Sequence, residues 1–276
     1  MNETPHLPDA QPARAVDPRP PRKGLYMLPN AITLAALFSG FYAIVMAING
    51  RFELACIAIF CAAILDSLDG RVARMTNSQS AFGEQMDSLS DMVSFGAAPA
   101  LIVYIWALKE LGKAGWIPAF FYIAGAALRL ARFNVNIGVV DKRFFQGLPS
   151  PAAAAIVIGL IWVVDDAGFK GVSQIPVLAW TAFAVTLFAG VSMVTNAPFY
   201  SFKVVGSRRT VPFIVIVAIA LAIALVALDP PKVLFAIFCV YGLSGYAIYG
   251  WRRMKGKRAS VIATSTEDPD EQGLHR

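Results

Sequence analysis

A succession of long apolar runs constrains this chain more than any other feature. A membrane-crossing helix needs about 20 predominantly apolar residues. Eight candidate runs can be marked, at about 28–48, 52–75, 81–108, 116–137, 151–165, 176–195, 211–228 and 231–250. Composition agrees, with 57% of the 276 residues hydrophobic and only 15% charged. A soluble domain is roughly half apolar and about a quarter charged. These figures exclude a disordered protein, a nucleic-acid-binding tail protein and a secreted disulfide scaffold. The expected fold class is all-α, a polytopic membrane helical bundle of about eight transmembrane helices.

The ends of the chain read differently. Residues 1–24 form a polar segment with six prolines, a composition that cannot bury a core, and a disordered tail is expected there. No short apolar run with a small-residue cleavage site precedes Leu25, so a signal peptide is not expected. Residues 25–251 form the expected transmembrane domain, and 252–276, basic and then acidic, a second disordered tail. With both termini placed in the cytoplasm, the inner segments hold nineteen of the 24 Lys and Arg residues and the outer segments five. That asymmetry obeys the positive-inside rule. Losing one span would spoil it; losing two would not, so six spans also satisfy the charges. The net charge of +6 then follows from topology and from anionic lipid heads, with no nucleic-acid partner.

Scarcity narrows the chemistry. The two histidines, His6 and His275, lie in the tails, so histidine bases and ligands are not expected. Cys56, Cys61 and Cys239 sit inside apolar runs and read as small buried hydrophobes. Of the 18 acids, seven lie in the tails and five between positions 66 and 91. Asp66, Asp69, Gly70 and Ala73 follow i, i+3, i+4, i+7 spacing, one face of a helix. Asp87 and Asp91 are i, i+4 on the next helix, and the short polar link 76–80 makes the two helices an antiparallel pair. Four carboxylates brought together repel one another. A hard divalent cation relieves that repulsion and shares its shell with substrate phosphates. Gly70 and Ala73 leave the same face bare for a bulky ligand, and Arg74 can fork onto a phosphate. Glu84 departs from these faces and reads as solvated. The parts are those of phosphoryl-type transfer.

These residues, in the pattern D-x2-D-G-x2-A-R-x8-G-x3-D-x3-D from Asp66 through Gly83 to Asp91, resemble the signature of the CDP-alcohol phosphatidyltransferase family. The resemblance implies a membrane-embedded helical fold, commonly a homodimer, with its site on the cytoplasmic side of the bacterial inner membrane. It implies that Asp66, Asp69 and Asp87 hold divalent metal, Mg²⁺ or Mn²⁺ and two ions per site. Asp91 would lie near or on the second ion and act as general base. Gly70 and Ala73 would pack on the cytidine nucleotide of CDP-diacylglycerol and Arg74 would meet its diphosphate, with Asp66 and Gly83 bordering the same site. Four further stretches look like the serine-specific branch of the family: Leu28-Pro-Asn30-Ala-Ile-Thr33, Asp91-Met-Val-Ser-Phe-Gly96-Ala-Ala-Pro99, Leu128-Arg129-Leu-Ala-Arg132-Phe-Asn134 and Phe145-Gln-Gly-Leu-Pro149-Ser150-Pro151. They imply L-serine as acceptor, and phosphatidylserine and CMP as products.

Arg129 and Arg132, i and i+3 near the end of the fourth run, are candidates for the serine carboxylate or the lipid phosphate. Both also fit simple interfacial charges. Pro149 and Pro151 mark the start of the fifth helix, and Ser150 between them reads as its N-cap. Two alternatives stay open on the residues alone: the same transfer to glycerol 3-phosphate, an inositol phosphate or choline, or a cation- or proton-coupled transporter.

Overall fold

The computed structural model describes residues 27–135, 144–169, 176–200 and 213–255. The described residues are mostly helical, and all eight expected runs are helical: α1 (Met27–Ile48), α2 (Phe52–Met75), α3 (Ala81–Asp91) continuing through a π-helical turn at Met92–Ala97 into α4 (Ala98–Trp106), α5 (Trp116–Val135), α6 (Ser150–Asp166), α7 (Pro176–Val194), α8 (Phe213–Leu228) and α9 (Pro230–Met254). Among the described residues, four segments are long and apolar enough to cross a membrane: Met27–Ile48, Ala81–Trp106, Pro176–Val194 and Pro230–Arg252. A fifth arises if the 3₁₀ segment Leu108–Ala114 and α5, bent by 96°, count as one span. The remaining runs fall short for identifiable reasons. α2 carries Glu53, Asp66, Asp69, Arg71 and Arg74, α6 has only 17 residues, and α8 is described over 16, from Phe213.

The large apolar side chains on the outside fit a lipid solvent. Phe38 is 66% exposed, Phe41 58% and Trp180 57%. Between helices the contacts are made by small residues instead. α1 and α2 pack together, α1 burying Ala36, Gly40, Ala43 and Ala47 and α2 burying Ala55, Ala58 and Ala62. Lipid tails are as apolar as leucine, so helices associate in a membrane by close packing, and small residues permit it. A Cβ added to Gly40 would lie 2.4 Å from Ser94 Oγ, and one on Gly125 of α5 2.4 Å from the Gly190 carbonyl of α7. α6 is the centre of the bundle, its residues Ala152–Ile161 buried and packed against α2, α4, α7 and α9.

A small antiparallel ribbon closes one end. β1 (Phe144–Gln146) pairs with β2 (Pro198–Tyr200), Phe145 opposite Phe199. Gly147 follows at φ +79°, where a Cβ would meet the Met193 carbonyl at 2.3 Å, so only glycine fits there.

Several expectations need revision. Cys56 is buried, but Cys61 is exposed on α2 and Cys239 only partly covered. α9 extends through Arg252 to Met254. Cations suit a helix C-terminus, and Lys255 also lies 4.1 Å from the ring centre of Trp251. His6, His275 and the rest of both tails lie outside the described residues.

Candidate active site

The site is built where α2 ends and α3 begins. Asn77, in the left-handed region at φ 52°, stops α2 while the Ser78 amide donates back to the Ala73 carbonyl at 3.0 Å. Ser80 then starts α3 as its N-cap, its hydroxyl accepting from the Gly83 amide at 3.0 Å. The polar link 76–80 thus carries the chain from one carboxylate-bearing helix into the next.

One carboxylate oxygen each from Asp66, Asp69 and Asp87 lies within 4.8 Å of the others. Asp91 stands beside Asp66, one turn beyond Asp87. Its Oδ1 is buried and has no hydrogen-bond partner. Leaving a buried polar atom unpaired costs about 1–3 kcal/mol and more when charged, so this oxygen is poised for a donor. The three converging carboxylates are hard oxygen ligands at a spacing a divalent cation can bridge, and they fit such an ion.

A cleft of about 190 Å³ opens over this cluster, lined among others by Asp69, Gly70, Ala73, Arg74, Gly83 and Asp87. Asp66 and Asp91 lie outside its lining. Gly70 presents bare backbone: an added Cβ would have only the Arg74 guanidinium near it, at 3.4 Å. Gly83 serves a tighter purpose, since a Cβ there would press on Ser80 Oγ at 3.2 Å and Asn30 Oδ1 at 3.3 Å. Glu84 is exposed, as expected, although it borders the cleft mouth.

The two arginines part company. The Arg129 charge is felt by Asp91 and Asp66. Its Nη1 donates to Ser150 Oγ at 2.8 Å, while its Nε is buried without a partner. Arg132 instead donates to the Val194 carbonyl at 3.1 Å and to Asn196 Oδ1 at 3.4 Å. Gln146 Nε2 also donates to Asn196 Oδ1, at 2.6 Å. Arg132 therefore ties the end of α7 to the ribbon. Ser150 is not the N-cap of α6; Pro149 takes that position, and Ser150 is the fully buried first residue of the helix.

Residues that the carboxylate spacing could not single out complete the site. Thr33 of α1 donates to Asp69 Oδ2 at 2.7 Å. Asn134 at the end of α5 donates to Ser88 Oγ at 3.1 Å, next to Asp87. Asn30 borders the cleft. Their only signal in the sequence is membership of the four further stretches, which converge here from α1, α3, α5 and the start of α6.

Residues 26–194 match the sequence profile of the CDP-alcohol phosphatidyltransferases. The chain is 35% identical to a CDP-diacylglycerol–serine O-phosphatidyltransferase of Helicobacter pylori, over 81% of this chain and 92% of that protein. It is 40% identical to the protein of that name from Mycobacterium leprae, over 50% of this chain and 47% of the other. With an archaetidylserine synthase of Methanothermobacter thermautotrophicus it shares 39% identity over 47% of this chain and 55% of that one.

Proposed function

The chain belongs to the CDP-alcohol phosphatidyltransferase family, and on that premise we propose that it transfers the phosphatidyl group of CDP-diacylglycerol to L-serine. One observation carries the assignment of roles. Three carboxylates converge on one point, while the fourth, Asp91, keeps a buried oxygen without a donor beside Arg129.

The acyl chains stay in the bilayer and the CDP head enters the cleft. Gly70 and Ala73 let the nucleotide approach the α2 backbone, and Gly83 keeps α3 close enough to border it. Arg74 engages the diphosphate. Asp66, Asp69 and Asp87 would hold divalent metal, Mg²⁺ or Mn²⁺, with Asp91 at the edge of a second ion. Bound there, the ions offset the diphosphate charge and stabilise the departing CMP. Arg129, held by Ser150, takes the serine carboxylate and turns the serine hydroxyl toward Asp91. Asp91 Oδ1 accepts the hydroxyl proton as the serine oxygen bonds to the phosphorus that carries diacylglycerol. The bond from that phosphorus to the CMP oxygen breaks, giving phosphatidylserine and CMP. Arg132 holds the ribbon and α7 in register around this pocket.

The reading extends to topology. The catalytic unit is the transmembrane domain at residues 25–251. It crosses the bacterial inner membrane eight times with both termini and the site in the cytoplasm, and it works as a homodimer. The supports are the distribution of positive charge and the eight helical runs. Release of CMP from labelled CDP-diacylglycerol, with serine compared against glycerol 3-phosphate, an inositol phosphate and choline, tests the acceptor. Release with serine alone is expected. Release with another alcohol but not serine would refute the assignment.

A further inference from the structure

α1 carries no charged side chain between Met27 and Ile48, yet it lies against both carboxylate-bearing helices. Thr33 is where it touches both. Its hydroxyl reaches Asp69 Oδ2 on α2 at 2.7 Å, and its carbonyl accepts from Ser90 Oγ, the neighbour of Asp91, at 3.3 Å. One turn on, Ser94 Oγ donates to the Ala36 carbonyl at 3.2 Å. Thr33 is only 4% exposed and Ser90 only 2%, so water does not compete for these bonds.

The bland account of a threonine in a membrane helix is that it satisfies its own hydroxyl on the carbonyl four residues back. The Pro29 carbonyl is indeed 3.1 Å from Thr33 Oγ1. A hydroxyl has one proton, however, and the shorter contact is to a carboxylate, where a charge-assisted bond is stronger. The proton therefore goes to Asp69. With Oδ2 fixed in this way, Oδ1 and the remaining lone pair of Oδ2 are left for a cation.

We propose that Thr33 is a positioning residue: its hydroxyl orients Asp69 for metal, and its carbonyl, through Ser90, sets the distance of α3 from α2. The inference rests on the reading of Asp66, Asp69 and Asp87 as a metal site. Outer partners of metal ligands act by fixing the ligand's orientation, and their loss costs about 10- to 100-fold in affinity.

The test is direct Mn²⁺ binding by the full chain in lipid nanodiscs, followed by the spin-resonance signal of free Mn²⁺ with no substrate present. Thr33→Val is expected to weaken binding about tenfold or more, and Thr33→Ser to stay within about threefold of the unaltered chain. In turnover, added Mn²⁺ should restore most of the rate of the valine variant. A purely structural role predicts otherwise: Thr33→Val and Ser94→Ala would both lower the melting temperature and leave Mn²⁺ affinity unchanged. Thr33→Ala, which removes the hydroxyl without adding bulk, carries the same expectation should the valine variant fail to fold. Unchanged affinity in the folded variant overturns the role of Thr33 alone. Absence of Mn²⁺ binding by the unaltered chain overturns the metal-site reading and this inference together.

Discussion

Replacing Asp91 by asparagine separates catalysis from stability. The amide has nearly the same shape as the carboxylate, so the buried side chain should settle in place. It loses the ability to take a proton. General-base catalysis contributes about 10²- to 10⁴-fold, equivalent to about 2.7–5.4 kcal/mol of barrier at 1.36 kcal/mol per decade. The effect on the fold has the opposite sign. Asp91 lies against the Asp66 carboxylate, a contact between two acids. An amide in its place donates to Asp66 and removes one negative charge from the cluster. Against this, Arg129 loses part of its electrostatic partner. The melting temperature without metal should therefore stay level or rise, while CMP release with serine falls by at least about a hundredfold. KM for CDP-diacylglycerol should change little, because the cleft that receives the nucleotide does not include Asp91. The assay is CMP release with purified protein in nanodiscs, paired with thermal unfolding in a chelator. Turnover at the unaltered rate would refute the assignment of the base. A falling rate matched by a falling melting temperature would show that Asp91 acts through the fold.

Gly70→Ala meets only the Arg74 guanidinium at 3.4 Å, so the melting temperature should hold while KM for CDP-diacylglycerol rises; unchanged KM would remove Gly70 from the nucleotide site. Gly40→Ala is the contrasting case, because its Cβ would lie 2.7 Å from Ser94 Cα; melting temperature and activity should fall together, by about 1–3 kcal/mol in stability as overpacking usually costs. Arg129→Lys keeps the charge but loses the planar fork, and the serine KM should rise with little change for CDP-diacylglycerol. Arg132→Lys should leave the serine KM alone and lower stability by about 1 kcal/mol, the worth of an ordinary hydrogen bond; a rise in serine KM would return Arg132 to the acceptor pocket. Chelation should abolish turnover, and Asp66→Asn should need more Mn²⁺ to recover it; metal-independent CMP release would rule out the proposed role of the carboxylates.

The carboxylate face was legible early because helical spacing is a local property. Asp66, Asp69, Gly70 and Ala73 share a face on any regular helix, and Thr76–Ser80 is polar enough to end one. The resemblance to a family signature turned that face into a named chemistry. The two arginines were not separable in this way. Both sit at the end of one helix, three residues apart, and their fates depend on partners at Ser150 and at Val194 and Asn196. Thr33 was invisible to spacing as well, since its partner Asp69 lies 36 residues away.

By itself the sequence marked the apolar helices and the face on which the candidate carboxylates lie. Long apolar runs admit only helices in lipid, because backbone groups there must be satisfied within each segment, and scarce acids at fixed spacing mark where charge is worth its cost. The tertiary structure decided how the four acids differ. Packing of small residues brings α1 against α2 and α3, so Thr33 anchors Asp69; the Arg129 charge faces Asp91 from α5, and Asp91 alone of the four is left with a buried oxygen that lacks a donor among the described residues. Those distinctions depend on contacts between helices far apart in the chain, which no local pattern encodes.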